Sequence, residues 1–156
     1  MSDLTEEILR IAFNKAELAR EHGNHPFAAV LVDHDDNILM SAENTVITDK
    51  DVTAHAELNL IRTATASLSE QIMSTSTLYA SAEPCPMCAS AMVWGNIRHL
   101  VFGLSMEKFY DIVGDAGEAP TLKLKSHNIF EHAPWPVQIK GPLLENEAML
   151  PHQNFW

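Results

Sequence analysis

Apolar and polar residues alternate with a helical period at the start of the chain. Leu4 and Ile8 begin a series of apolar residues spaced three or four positions apart, which places them on one face of a helix. Asp3, followed three residues later by Glu6, is a typical helix start. The pattern predicts a helix over residues 4–21, and the stretch EHGNHP ends it.

Short apolar segments follow and predict strands and helices. FAAVLVD and NILMSAE, joined by the turn-forming HDDN, predict a β-hairpin. A loop over residues 44–52 and a helix over residues 54–66 come next. The other predicted elements are a strand in STLYASA, a helix in CASAMVWG that Gly95 ends, a strand in RHLVFGL, a short strand in VQIKGP and a last helix in LLENEAML.

This order predicts an α/β fold, a three-layer α/β/α sandwich around a central mixed sheet of five strands. The strands in STLYASA and RHLVFGL should be parallel, because each follows a right-handed crossover through a helix. Glycines and prolines interrupt the pattern between residues 114 and 136, and loops of this length are often functional. We expect a single domain over residues 1–156.

Composition limits the class of protein. Hydrophobic residues make up 46% of the 156 positions, which suits one core. No apolar stretch is long enough to span a bilayer, and the acidic first residues do not have the basic and apolar regions of a signal peptide. We therefore expect a soluble cytoplasmic protein with no membrane contact.

The charge of the chain is strongly acidic. Twenty-one aspartates and glutamates outnumber ten lysines and arginines, for a formal net charge of −11. Nucleic-acid binding depends largely on basic residues that neutralise phosphates, and the densest basic group is only Lys123, Lys125 and Lys140. A small-molecule substrate is expected, and a nucleic-acid partner is not.

The two cysteines of the chain, Cys85 and Cys88, lie three positions apart in PCPMC. This spacing cannot bridge distant loops. With His55 they offer one nitrogen and two thiolates, a set of three protein ligands that leaves a catalytic zinc one open position. Pro86 suits the first turn of a helix, and the positive end of a helix favours thiolates. One zinc ion per chain is predicted.

Glu57 follows His55 by two positions. At about 100° per residue the two side chains would point about 200° apart on a helix, so Glu57 need not be a ligand. Zinc at such a site makes hydroxide available at neutral pH, and a nearby carboxylate can take up a proton and pass it to a departing amine. The combination suits hydrolytic removal of ammonia from an amidine-like carbon.

Other interpretations of the same residues stay open. A lone C-x-x-C in a cytosolic protein is also typical of a redox pair. A structural zinc would need a fourth ligand, for which His99 is the nearest candidate. Taken alone, His55 would more often be an ordinary helix histidine and Glu57 a surface charge. The combination of the two motifs favours the catalytic zinc.

HAE at residues 55–57 and PCPMC at residues 84–88 resemble the H-x-E…P-C-x-x-C signature of the zinc nucleobase deaminases. DVTAHAELNLIR and EPCPMCASAMVWGNIRHLVFG are similar to the purine-acting branch, which includes bacterial guanine deaminases and tRNA adenosine deaminases. The resemblance covers about residues 4–104. It implies the cytidine-deaminase-like fold, zinc on His55, Cys85 and Cys88, Glu57 as proton carrier, and a homodimer.

The resemblance also implies residues that contact the base. Asn44 corresponds to an asparagine that hydrogen-bonds the base ring, and an amide can donate and accept at once. Phe27, in HPFAAV, would stack on the base, although a phenylalanine entering a strand is more often core. The next residue, Ala28, replaces the usual glycine. The backbone of Ala56 would lie at the reacting centre, together with the carbonyl groups of SAE at residues 81–83.

Four further positions are candidates. Trp94 would form a wall of the pocket, or else pack in the core. Asp115 is the first candidate, and Asp111 the second, for an acid that recognises guanine. Trp156 ends the aromatic tail PHQNFW, which could exclude water from the base. Residues 114–156 would then form a segment that closes the pocket of its own chain or, after swapping, of a neighbour.

These residues predict a zinc-dependent hydrolytic deaminase of a small nucleobase or nucleoside, with guanine as the first candidate. The second hypothesis is tRNA adenosine deamination, which the same two motifs would serve equally well. The third is a zinc-stabilised binding module without turnover.

Overall fold

The computed structural model describes residues 3–114 and 122–156, and a five-stranded sheet lies at its centre. The strands are β1 (Ala28–Val32), β2 (Ile38–Glu43), β3 (Thr77–Ala82), β4 (His99–Leu104) and β5 (Gln138–Lys140). Their order in the sheet is β2-β1-β3-β4-β5. β1 is antiparallel to β2 and β3, whereas β3, β4 and β5 are parallel to one another. The predicted mixed sheet and the parallel pair are confirmed.

Helices precede, connect and follow the strands. They are α1 (Asp3–Glu21), α2 (Val46–Asp49), α3 (Ala56–Ser67), α4 (Glu70–Thr75), α5 (Pro86–Trp94), α6 (Met106–Val113), α7 (Ser126–Phe130) and α8 (Glu145–Ala148), with a 3₁₀ turn over Leu150–His152. None of these described helices is long and apolar enough to cross a membrane.

The sheet separates two apolar clusters. On one face Leu9 and Phe13 of α1 pack with Val30 of β1. On the other face Leu60 of α3 packs with Leu31 of β1, and buried residues of α5 and α7 join the same cluster. Successive residues of a strand point to opposite faces, so β1, which is buried along its whole length, contributes to both clusters. The predicted three-layer α/β/α sandwich is confirmed.

Turn chemistry accounts for the hairpin between β1 and β2. Asp33 Oδ1 accepts the backbone N–H groups of Asp35 and Asn37, each at 2.9 Å. Asp36 has a φ of 64°, a left-handed conformation that aspartate tolerates better than most residues.

Some connections that were predicted as irregular contain short helices. α2 lies in the predicted loop over residues 44–52, and α7 lies between residues 114 and 136. α4 and α6 were not predicted, although serine caps begin both. Ser69 Oγ accepts the N–H of Ile72, and Ser105 Oγ accepts the N–H of Lys108, each at 3.2 Å. These caps satisfy N–H groups that a first helical turn leaves unpaired.

Candidate metal and active site

Two helix N-termini bring the predicted zinc ligands together. His55 is the N-cap of α3 and Cys85 is the N-cap of α5, and both have extended backbones. Pro86 begins α5, where its missing N–H leaves no bond unmade. Cys88 lies within the first turn of α5 and is buried. Both sulfur atoms therefore lie at the positive end of α5, which favours thiolates.

The distances among these three side chains fit a zinc ion. His55 Nδ1 lies 3.6 Å from Cys85 Sγ and 3.5 Å from Cys88 Sγ. Tetrahedral zinc, with Zn–N of about 2.0 Å and Zn–S of about 2.3 Å, would hold nitrogen and sulfur ligands about 3.5 Å apart. Within the described residues the cluster has these three members and does not include His99. Three ligands are typical of a catalytic rather than a structural site.

The two thiols differ in acidity. A hydrogen bond from Cys88, helped by His55, lowers the pKa of Cys85 to about 4. The same hydrogen bond, together with burial, raises the pKa of Cys88 well above its ordinary value. The hydrogen bond to Cys85 raises the pKa of His55. The pair thus holds one thiolate at neutral pH, which is the form of cysteine that binds cations.

Glu57 lies inside the protein beside this cluster. Its side chain is only 6% exposed, and Oε2 accepts the S–H of Cys88 at 3.5 Å. Burial and then the Cys85 charge raise the pKa of Glu57 to about 7. The helical-wheel angle does not separate Glu57 from His55, because His55 is an N-cap with an extended backbone. Glu57 is therefore placed to exchange protons near neutral pH without being a member of the ligand cluster.

Asn44 lies at the end of the hairpin and is 2% exposed. Its backbone N–H donates to the carbonyl of Phe27 at 3.0 Å, and its Oδ1 accepts the N–H of Val46 at 3.1 Å. Asn59 Nδ2 donates to the carbonyl of Glu43 at 2.9 Å, which joins α3 to the end of β2. Over residues 3–114 and 122–156 the Asn44 Nδ2 makes no hydrogen bond, so its donor is free for a ligand.

Aromatic rings surround Phe27, which is half-buried. Its ring centroid lies 5.5 Å from that of Phe109 and 5.2 Å from that of His152. Trp156 stacks on His25 at 5.4 Å and contacts Phe109 edge-on at 5.4 Å. These five residues are called the aromatic wall below. Within the single chain the tail ending in Trp156 packs beside Phe27 and Phe109, and closure of a neighbour's pocket by swapping stays a prediction.

The charges of the ligand cluster act on the aromatic wall and on the residue next to it. Burial, and then the charge of His55, lower the pKa of His25. Burial, and then Cys85, raise the pKa of Tyr110, which follows Phe109 on α6. His25, Phe109 and His152 were not predicted from the sequence as site residues. The aromatic residues in HPF and FY were the available signal, but their proximity depends on the tertiary fold.

The other predicted positions lie in different surroundings. Trp94 is 91% exposed, so the core-packing alternative is wrong, and its role as a wall of the pocket stays a prediction. Asp111 is exposed on α6, and Asp115 lies outside the described residues. Ala56 is buried and begins α3. The roles of Asp111 and Ala56 towards a base stay predictions.

In the SAE stretch the side chains have structural partners. Ser81 Oγ accepts the N–H of Ala28 at 3.0 Å. The Glu83 carboxylate accepts the N–H of Met106 at 2.9 Å and the hydroxyl of Ser126 at 2.9 Å. Glu83 therefore joins the starts of α6 and α7 to the segment that carries the cysteines.

Comparisons with known proteins agree with this geometry. Residues 2–104 match the family described as the cytidine and deoxycytidylate deaminase zinc-binding region. The chain is 41% identical over 148 residues to a probable cytosine deaminase of Schizosaccharomyces pombe, covering 95% of this chain and 90% of that protein. It is 39% identical over 104 residues to a tRNA-specific adenosine deaminase of Haemophilus influenzae, covering 67% of this chain and 60% of the relative.

A solved structure extends the similarity to the whole fold. The guanine deaminase from Bacillus subtilis is 27% identical, with a TM-score of 0.61, and the match covers 98% of this chain and 92% of that one. The ligand cluster and Glu57 lie inside the matched family region, so the motif-based resemblance is confirmed. The chain belongs to the cytidine and deoxycytidylate deaminase zinc-binding family and is a hydrolytic deaminase.

Proposed function

We propose that this chain removes ammonia from a small free nucleobase, with one zinc ion held by His55, Cys85 and Cys88. The observation that carries the proposal is the position of Glu57, buried beside both cysteines with its pKa raised to about 7 by burial. A zinc ion at this site would supply a water molecule activated at neutral pH. Glu57 would accept a proton and return it to the departing amine.

The residues around Glu57 would hold the base. The free Nδ2 of Asn44 can donate to a ring nitrogen or an exocyclic oxygen. Phe27 offers an aromatic face on which a flat heterocycle can stack. The N–H groups of the first turn of α3, including that of Ala56, follow His55 directly in the chain and would be available to a base. These contacts would orient the amine-bearing carbon without depending on a sugar or a phosphate.

The position of the tail and the net charge of the chain both favour a small base over a polynucleotide. Trp156 lies beside Phe27, with ring centroids 6.1 Å apart, so a nucleic-acid strand that stacked on Phe27 would meet the tail. The net charge of −11 opposes binding of a polyanion. Lys125 pairs with Glu107 and Lys123 lies 5.8 Å from the ring of Tyr110. The basic group noted in the sequence is therefore partly neutralised.

Cytosine is the first base to test, and guanine the second. The 41% identity to a probable cytosine deaminase over nearly the full length of both proteins supports cytosine. Guanine was the first candidate from the sequence, and similarity to the Bacillus subtilis guanine deaminase supports it at lower identity. The identity to a tRNA-specific adenosine deaminase supports tRNA as a third substrate.

An ammonia-release assay on cytosine, guanine, adenine and their nucleosides tests the proposal. We expect zinc-loaded wild type to release ammonia from at least one free base. Glu57→Gln should keep its zinc and lose about 10²- to 10⁴-fold in rate, the scale of a general acid–base residue. Loss of zinc from that variant would show that Glu57 is a ligand. If wild type with bound zinc releases ammonia from no base, the binding-module hypothesis replaces ours.

Binding of tRNA on filters at low and at moderate salt separates the polynucleotide alternative. Weak binding at both concentrations is expected. Tight binding that falls steeply with salt would place tRNA ahead of the free bases, because release of counterions from phosphates gives such a slope.

We also propose a homodimer that packs through α5. This helix has the sequence PMCASAMVW, without a charged side chain, and a helix that is apolar on all sides is normally buried. Met87 and Ala91 are half-buried, and Trp94 is 91% exposed. At spacings of four and three they share one face. A second copy would cover this face, as the resemblance to the family implies.

Light scattering on protein as it elutes from a size-exclusion column measures the mass of the assembly. Wild type should have twice the mass of one chain, and Trp94→Ser should have the mass of one. Ile38→Ser, which changes an apolar residue that is 48% exposed on the hairpin, is the matched control and should stay dimeric. A monomeric wild type would refute the dimer.

A cytoplasmic location is part of the same proposal, since both cysteines are free thiols and reducing compartments keep them so.

A further inference from the structure

One arginine at the end of α1 holds the tail, defined here as Leu150–Trp156. Arg20 Nη1 donates to the carbonyl oxygen of Pro151 at 3.0 Å and also to that of Gln153. Its guanidinium carbon lies 5.5 Å from the centroid of the Phe155 ring. A single side chain thus contacts three residues of the tail through two charge-assisted hydrogen bonds and a cation–π contact.

The tail then turns back so that Trp156 meets the aromatic wall. Asn154 has a φ of 56°, a left-handed conformation that asparagine adopts more readily than most residues. The N–H of Phe155 donates to the carbonyl of His152 at 3.3 Å. Trp156 Nε1 donates to His152 Nδ1 at 3.0 Å. The orientation of the indole is therefore set by the turn that Arg20 holds.

His152 gives the indole a fixed acceptor. It is 2% exposed, and its ring lies 5.2 Å from Phe27 and 5.7 Å from Phe109. Burial, and then Arg20, lower its pKa to about 4. The imidazole is thus neutral at physiological pH and can accept the indole N–H.

We propose that Arg20 is a positioning residue that holds Trp156 over the base-binding pocket, where the indole contributes to binding of the base. This inference rests on the proposed function. The contacts of Arg20 with Pro151, Gln153 and Phe155 hold this segment in place. The tail touches the base and not the reacting carbon or the proton carrier. Its loss should therefore raise KM much more than it lowers kcat, as expected when uniform binding is removed.

The test uses zinc-loaded protein in which Trp156 is the only tryptophan, made by Trp94→Phe and Trp135→Phe. Arg20→Ala should shift the emission of Trp156 to longer wavelength and make it easier to quench with acrylamide. It should raise KM for the best base by about tenfold, the scale of one base–aromatic contact, with kcat nearly unchanged. Trp156→Ala should give the same rise in KM, measured by activity.

Arg10→Ala is the matched control. Arg10 lies on the same helix and pairs with Glu147 of α8 at 2.8 Å, so it also ties α1 to the later part of the chain, but through α8. Arg10→Ala should leave both the emission of Trp156 and KM as they are in the protein that keeps Arg10 and Arg20. If the Arg20→Ala protein does not fold, Arg20→Lys replaces it in the test. Lysine keeps the positive charge but lacks the planar guanidinium, so the shift in Trp156 emission and the rise in KM should both be smaller.

Two results would overturn the proposal. One is an unchanged Trp156 emission in a folded Arg20→Ala protein. The other is an emission shift without a rise in KM. If no base is turned over, the proposed function fails. The role of Arg20 is then decided by measuring the binding of the same bases to zinc-loaded Glu57→Gln protein, with quenching of Trp156 fluorescence as the signal. In that binding experiment, the proposal would also be overturned if proteins with and without Arg20 bound the bases with equal affinity, or if neither bound them.

Discussion

Replacing Glu57 by glutamine should stabilise the metal-stripped protein, and the gain should grow with pH. Burial raises the pKa of this carboxyl from 4.5 to about 7, so the folded state favours its neutral form. Below about pH 4.5 the carboxyl holds its proton in both the folded and the unfolded chain, and Glu57 carries no charge penalty. As the pH rises to about 7 the unfolded chain ionises freely, and the folded state loses stability relative to it.

The size of the effect follows from the pKa. At about 1.4 kcal/mol for each unit of pKa, a rise from 4.5 to about 7 corresponds to about 3 kcal/mol. Glutamine cannot ionise, yet its oxygen can still accept the S–H of Cys88. The difference in unfolding free energy between Glu57→Gln and wild type should thus be near zero at pH 4.5 and approach about 3 kcal/mol above pH 7.

Urea unfolding followed by circular dichroism, on protein treated with a chelator, measures this difference at several pH values. The chelator is needed because a bound cation beside the carboxylate would favour its charged form. Glu17→Gln, on an exposed position of α1, controls for the removal of one acid from a chain with a net charge of −11. A difference that is constant with pH, or that shrinks as the pH rises, would refute the account of Glu57.

Three further predictions concern the site and the core. Cys88→Ala should lose zinc, measured by elemental analysis, and lower the thermal midpoint of the holoprotein, because metal binding is coupled to folding; one tightly held zinc per chain in this variant would contradict the ligand set. Gly103→Ala should cost about 1–3 kcal/mol in urea unfolding, because a Cβ there would lie 2.4 Å from Phe13 Cε1 and 2.8 Å from the Ser81 carbonyl oxygen; wild-type stability would contradict this packing. Asn44→Ala should raise KM about tenfold with zinc retained, the scale of a lost hydrogen bond to the base; an unchanged KM would remove Asn44 from the pocket.

The ligand set could be predicted from the sequence because its determinants are local. His55 and Cys85 are helix N-caps, and Cys88 is fixed by its spacing from Cys85. Pro86 marks the helix start in the sequence itself. Hydrophobic periodicity located α1, the hairpin and the parallel strands because these elements bury one face or both faces in a regular pattern.

Other features depended on contacts between distant segments. α6 and α7 are joined to the cysteine segment by Glu83, a pairing that no local pattern indicates. The helices α2 and α4 have only four and six residues, too few for a clear period. The serine caps at Ser69 and Ser105 were readable signals that the sequence analysis missed. Core packing was a wrong alternative for Trp94 because α5 is apolar on all sides, so periodicity could not tell the inner face of this helix from its outer face.

The proposed function assigns chemistry and specificity to different parts of the chain. The reacting groups occupy two short motifs, whose geometry follows from two helix starts. The aromatic wall gathers residues from the loop before β1, from α6 and from the tail, three segments that can change independently of the motifs. The proteins that resemble this chain include a probable cytosine deaminase, a tRNA-specific adenosine deaminase and a guanine deaminase, and the proposed base contacts of the aromatic wall would account for this range of substrates. It follows that substitutions in the aromatic wall should change which base is accepted while zinc content and the role of Glu57 stay constant.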